Sequence, residues 1–154
     1  MVSIFGAGMK IESTSLGTQF DDPEARIVFP LGIPGFEKDR TFQLFQQHAD
    51  DVVGYLQSVD DPDLTFSVFA PESLNIFYEF ILSDEEQALL KLERAEDVVL
   101  LLVAYRQTAE QDAEAQGSRV NANFMAPLVI NSESRLGLQK PLYRAERRIT
   151  IKAN

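Results

Sequence analysis

At 154 residues, with 45% apolar and 25% charged side chains, the chain has the size and balance of one globular domain that buries a single core. It contains no cysteine, which excludes a disulfide scaffold, a thiol nucleophile, a thiolate zinc site and an iron–sulfur cluster. A formal charge of −10 argues against direct nucleic-acid binding, because holding phosphates takes Lys and Arg that displace counterions, and favours basic protein partners instead.

Residues 1 to 8 lack the basic start and apolar run of a signal peptide and read as a short extension, with Met9 a possible alternative start. The expectation is a cytoplasmic protein. Arg26-Ile27-Val28-Phe29 is the first strand signal. It runs into Phe29-Pro30-Leu31-Gly32-Ile33-Pro34-Gly35-Phe36-Glu37, where two prolines and two glycines are set among large apolar residues. Ordinary turns mix Gly and Pro with Ser, Asn and Asp, so this rigid apolar bend either caps the core or is kept for a partner.

Three further strands are signalled: Thr41 to Phe45, Val52 to Leu56, and Leu64 to Phe69. The last alternates, with Leu64, Phe66 and Val68 directed at the core and Thr65, Ser67 and Phe69 outward, which leaves Phe69 exposed. Between the last two lies Asp60-Asp61-Pro62-Asp63. Three carboxylates in four residues have the oxygen chemistry of a calcium site but not the EF-hand spacing, glycine or distal Glu, and a tight turn with Asp side chains on local amides accounts for them better. Asp21-Asp22-Pro23 and Asp50-Asp51 read the same way.

Phe77-Tyr78-Glu79-Phe80 and Asn123-Phe124-Met125 each hold more large side chains than one strand face can bury, so at least one is exposed or covers an edge. Ser83-Asp84-Glu85-Glu86 has the pattern of a capping box, opening a helix of about two turns that plugs one end of the β core. Val98 to Tyr105 is apolar throughout and must be covered on both faces as the spine of a sandwich or closed barrel. This is also the longest apolar run, and it falls well short of the roughly 18 to 20 residues that cross a bilayer as a helix. The polar, acidic stretch 107 to 119 reads as a loop or frayed helix. Pro127 to Asn131, Leu136 to Gln139 and Arg148 to Ile151 complete the strands, and from Arg135 the chain turns basic, a solvated tail or a second contact surface. The sum is a mostly β, antiparallel, barrel-like or sandwich domain with one short capping helix.

Catalysis has no visible machinery in this chain. The single histidine, His48, sits in a polar loop, and there is no nucleophile elbow, phosphate-cradling glycine loop or histidine pair for zinc. No cofactor is expected. A small barrel with aromatics could be an OB-like single-strand binder, but the aromatic strands Thr41 to Phe45 and Leu64 to Phe69 carry no Lys or Arg. What remains is a protein-interaction module, an adaptor or chaperone with apolar loops.

Three blocks resemble the flagellar assembly factor FliW family, in the family's order: the bend, Leu56 to Phe66, and Asn121 to Asn131. The resemblance runs from about Met9 to about Pro141, with the residues from 142 forming a basic tail. It implies a single small barrel-like domain, monomeric when free, that binds the translational repressor CsrA and, exclusively of it, flagellin near its C-terminal region. In that circuit the protein keeps CsrA from repressing flagellin mRNA until new flagellin takes it away. The residues expected at the contact are Gly32, Ile33, Pro34, Gly35, Phe36 and Glu37 of the bend, with Asp60, Asp61 and Asp63 of the acidic turn. Truncating Ile33 or Phe36 is then expected to weaken binding without changing the thermal melt.

Overall fold

A computed structural model of the chain describes residues 9–12, 26–46, 52–106, 120–142 and 147–151. Residues 1 to 8, the acidic pairs at 21–22 and 50–51, His48 and the stretch 107 to 119 lie outside the described residues.

Strands β2 (Arg26–Val28), β3 (Thr41–Phe45), β4 (Val53–Ser58), β5 (Thr65–Phe69), β7 (Val98–Arg106), β9 (Leu128–Asn131) and β10 (Leu136–Gln139) form one sheet in the order β5-β4-β3-β2-β10-β9-β7. Pairing of β7 back onto β5 closes it into a seven-stranded barrel, and β8 (Val120–Ala122) pairs antiparallel with the end of β7. Every pairing is antiparallel except β10 with β2, where Leu136 meets Val28 and the Val28 amide donates to the Arg135 carbonyl at 2.9 Å. Closure satisfies edges that an open sheet would leave free. A second sheet places β6 (Ile76–Leu82) between β1 (Met9–Glu12) and β11 (Arg147–Ile151). Within the basic C-terminal segment, Arg147–Ile151 is thus hydrogen-bonded to β6 and Leu142 is buried.

The two sheets create two cores that share the strand expected to be covered on both faces. Val99 and Leu101 of β7 point into the barrel with Ile27, Phe29, Phe42, Leu44, Leu56 and Val68. Its alternate residues Val98, Leu100, Leu102 and Ala104 face outward, onto Tyr78, Phe80 and Leu82 of β6. The period-two geometry of a strand makes this division, and covering both faces is why no polar residue is tolerated from Val98 to Ala104. Phe69 corrects an expectation: it is 6% exposed, because the outer face of β5 also contributes to the second core rather than facing water. Burial along β6 alternates as the strand period requires, with Ile76, Tyr78, Phe80 and Leu82 buried and Phe77, Glu79 and Ile81 half-buried between them.

Helix α1 (Asp84–Leu90) begins as the capping box prescribes: the Glu86 amide donates to Ser83 Oγ at 3.2 Å and the Ser83 amide donates to Glu86 Oε1 at 2.9 Å. It closes an end of the second core, into which Leu90 is fully buried. Lys140, from the end of β10, donates to both Glu86 carboxylate oxygens at 2.9 and 3.0 Å and so ties the helix start to the barrel wall. Its other end is held by Asn131. The buried side-chain amide donates to the Leu90 carbonyl at 2.9 Å and the Lys91 carbonyl at 3.2 Å, while its oxygen accepts from the Glu133 amide at 3.0 Å. These are carbonyls that a helix leaves without partners at its C-terminus. The Leu90 carbonyl also accepts from Ser134 Oγ at 2.7 Å, so Asn131→Ala leaves the Lys91 carbonyl and the Glu133 amide without this partner and is expected to lower stability by about 1 to 2 kcal/mol, read as a shifted denaturant midpoint with an unchanged slope.

A short 3₁₀ turn, Pro71–Leu74, packs on β6 and β7 and carries Glu72. Both carboxylate oxygens are shut away from solvent with no hydrogen-bond partner among the described residues, and burial raises the carboxyl pKa above its ordinary value, partly opposed by its own amide. A carboxyl whose folded pKa is raised weakens the fold as pH climbs from the usual Glu range through the folded value, and has no cost below that range. Glu72→Gln is expected to raise the stability at pH 7, with the gain vanishing as the pH falls below the ordinary Glu range. Melts of both proteins across that range are the check, and an equal gain at every pH would disprove a titration effect.

Candidate protein-binding site at one mouth of the barrel

The bend between β2 and β3 and the acidic turn between β4 and β5 lie at the same end of the barrel, since β2 to β5 pair antiparallel in sequence order and every second connection of such a meander turns at the same end. The bend is built by two glycines that supply backbone conformations an L side chain avoids, Gly32 at φ +72° and Gly35 at φ +90°. At Gly32 there is also no room, because a Cβ would stand 2.7 Å from the Glu37 Cα. Hydrogen bonds from the Gly32 amide to the Phe29 carbonyl (2.8 Å) and from the Phe36 amide to the Ile33 carbonyl (2.7 Å) set two consecutive turns.

Those turns sort the apolar residues into two sets. Phe29 and Ile33 enter the barrel, Ile33 with 3% of its surface exposed, while Leu31 and Phe36 point out, 67% and 42% exposed. Phe36 does not hang free. Its ring stands edge-on to Phe66 at 5.1 Å, Phe66 meets Phe42 at 5.9 Å, and Phe42 meets Phe29 at 5.7 Å, so a continuous aromatic column runs from the core to the exposed ring. Pro34, Gly35 and Glu37 are exposed at the tip. The Gly35 amide donates to Glu37 Oε2 at 3.0 Å, and that hydrogen bond holds the Glu37 carboxyl below its ordinary pKa and keeps it charged.

Asp60, Asp61 and Asp63 are all exposed. Their turn is locally self-satisfied: the Leu64 amide donates to the Asp61 carbonyl (2.9 Å), the Asp63 amide to Asp61 Oδ1 (3.2 Å), and Gln57 Nε2 to the Pro62 carbonyl (2.9 Å). No group of three His, Cys, Asp or Glu is placed to hold a metal ion among the described residues. The residues expected at the contact thus divide. Phe36, Pro34, Gly35, Glu37, Asp60, Asp61 and Asp63 present themselves at one end of the barrel, whereas Gly32 and Ile33 are buried beneath them. The expected contact began at Gly32 and so left out Leu31, though it belongs to the apolar bend, as well as Val59, both exposed, and the polar residues Asp39, Arg40 and Ser58 that support the loops. A second exposed apolar pair, Phe124 and Met125, lies between β8 and β9, where the Tyr78 hydroxyl donates to the Phe124 carbonyl at 2.7 Å and the Leu142 amide to the Met125 carbonyl at 2.8 Å. No described helix is long and apolar enough to cross a membrane.

Known proteins share this architecture and sequence. The FliW protein family model matches residues 10–153, which includes the last strand, β11. The flagellar assembly factor FliW of Azoarcus sp. (strain BH72) is 46% identical over 137 residues, spanning 88% of this chain and 92% of that one. That of Chromobacterium violaceum is 38% identical over 135 residues, spanning 86% and 92%. A crystal structure of the flagellar assembly factor FliW superposes with a TM-score of 0.62 at 32% identity, covering 80% of this chain and 81% of its own. With the family model spanning nearly its whole length, and with full-length relatives well above 30% identity, the chain belongs to the FliW family.

Proposed function

We propose that the protein is a cytoplasmic flagellar assembly factor that acts by binding proteins rather than by catalysis, holding a CsrA-type translational repressor and flagellin one at a time. Bound to the repressor, it leaves flagellin mRNA free for translation. Newly made flagellin then removes it, and the released repressor stops further synthesis until export draws the flagellin down. The exclusivity makes the two affinities thermodynamically linked: whatever one partner loses by the other's presence, the other loses equally.

The observation that carries this reading is the exposed Phe36 and Leu31 on a bend that glycine geometry and an aromatic column make rigid, beside exposed carboxylates at Glu37, Asp60, Asp61 and Asp63. A fixed aromatic with an acidic surround is suited to a basic RNA-binding protein, because the apolar ring supplies affinity and the charge speeds encounter. The contact residues are then Phe36, Pro34, Gly35, Glu37, Asp60, Asp61 and Asp63, carried by Gly32 and Ile33 from below.

A reconstituted translation reaction tests the circuit. Flagellin message repressed by the CsrA-type protein of the same organism is expected to be translated again when this protein is added, and repressed once more when purified flagellin follows. Translation that stays repressed at every ratio would reject the antagonist role.

A further inference from the structure

The bend and the acidic turn belong to different hairpins, yet one buried hydroxyl joins them. Ser58, 2% exposed at the end of β4, donates from Oγ to Asp39 Oδ1 at 2.6 Å and accepts at the same atom from the Asp61 amide at 3.0 Å. Beside it the Val59 amide donates to the Thr41 carbonyl at 2.9 Å. On the bend, the Arg40 guanidinium spans both arms: Nη1 donates to the Pro30 carbonyl and Nε to the Glu37 carbonyl at 3.3 Å, while the Arg40 carbonyl accepts from the Phe29 amide at 2.7 Å. These groups spend their hydrogen-bonding capacity on holding loops in place.

Resting on the protein-binding reading above, we propose that bend and turn are one preorganised docking surface for a partner segment with a large apolar side chain flanked by Lys or Arg, and that Ser58, Asp39 and Arg40 are its positioning residues. The apolar part is Leu31, Phe36 and Val59, all exposed, and the charge beside it is Glu37 with Asp60, Asp61 and Asp63. A surface whose loops are already fixed gives up less conformational freedom on binding, so its affinity exceeds that of the same side chains on loose loops. Carboxylates left at the exposed edge act mainly on association and select a basic segment over an acidic one.

The test uses the full chain with Asp39→Ala, which removes the acceptor of the Ser58 hydroxyl, and Asp39→Asn, which keeps an oxygen acceptor and removes only the charge. Amide hydrogen exchange in Asp39→Ala is expected to rise about tenfold at both Phe36 and Asp61, with both amides near wild type in Asp39→Asn. Affinity for the basic CsrA-type repressor is expected to fall about tenfold in Asp39→Ala and to survive in Asp39→Asn. In the Asp60→Asn, Asp63→Asn double variant, association slows and its salt dependence weakens, Glu37 and Asp61 being retained, while exchange stays as in wild type. Faster exchange at Asp61 alone overturns the coupling, equal damage in both Asp39 variants overturns the positioning role, and unchanged association in the double variant overturns the basic segment. A wild type that does not bind the repressor refutes the functional reading and the docking claim with it, while the exchange data still decide whether bend and turn are one unit.

Discussion

Ile33→Ala is expected to lower the unfolding free energy by about 2 to 4 kcal/mol and the melting temperature by roughly 5 to 15 °C, an effect on the fold rather than on binding alone. Ile33 lies in the barrel core with Phe29, Phe42, Leu44 and Leu56, and shortening it leaves a cavity where neighbouring strands cannot close up. From sequence, Ile33 and Phe36 look equivalent, each an apolar residue in a Gly/Pro bend. Their separation comes from the left-handed backbone at Gly32 and Gly35, which turns one side chain in and the next out. A melt of Ile33→Ala unchanged from wild type would mean that Ile33 does not fill the core.

Phe36→Ala is expected to do the reverse: a small loss of stability, about 1 kcal/mol from the contact with Phe66, and a loss of partner affinity of about thirtyfold or more. The aromatic column supports that magnitude. A ring held edge-on by Phe66, itself packed on Phe42, gives up little freedom when a partner covers it, so its truncation forfeits contact area that was already ordered. Calorimetric titration of wild type and Phe36→Ala, with a thermal melt of each, separates the two effects. Binding lost only in proportion to stability would reduce Phe36 to a barrel cap.

Much of the fold is written locally. The capping box at Ser83, the two-faced apolar run from Val98 and the turn at Asp60 to Asp63 each follow from rules that act within a few residues, and the structure has all three. What local rules could not supply was the second sheet. Its edge strand β1 is four residues long, and the central strand β6 shows large residues on successive positions rather than a clear alternation. Without that sheet the outer face of β5 would be solvated, which is why Phe69 reads as exposed from sequence when it is in fact core. Asn131 was visible as the end of a strand, but its service to the helix depends on a contact forty residues away in the chain.

The same limit applies to the site. Bend and acidic turn were each legible as unusual segments, one by its apolar Gly/Pro composition and one by its charge. That they turn at the same end of the barrel, bridged through Ser58, depends on strand order and register, which only the closed sheet defines.

The measurement that goes most directly to the central claim is a calorimetric titration of this protein with the CsrA-type repressor of its own organism, repeated after saturation with that organism's flagellin. One-site binding heat is expected in the first titration and none in the second. Binding of the repressor that persists undiminished on the flagellin-saturated protein would contradict the exclusive switch.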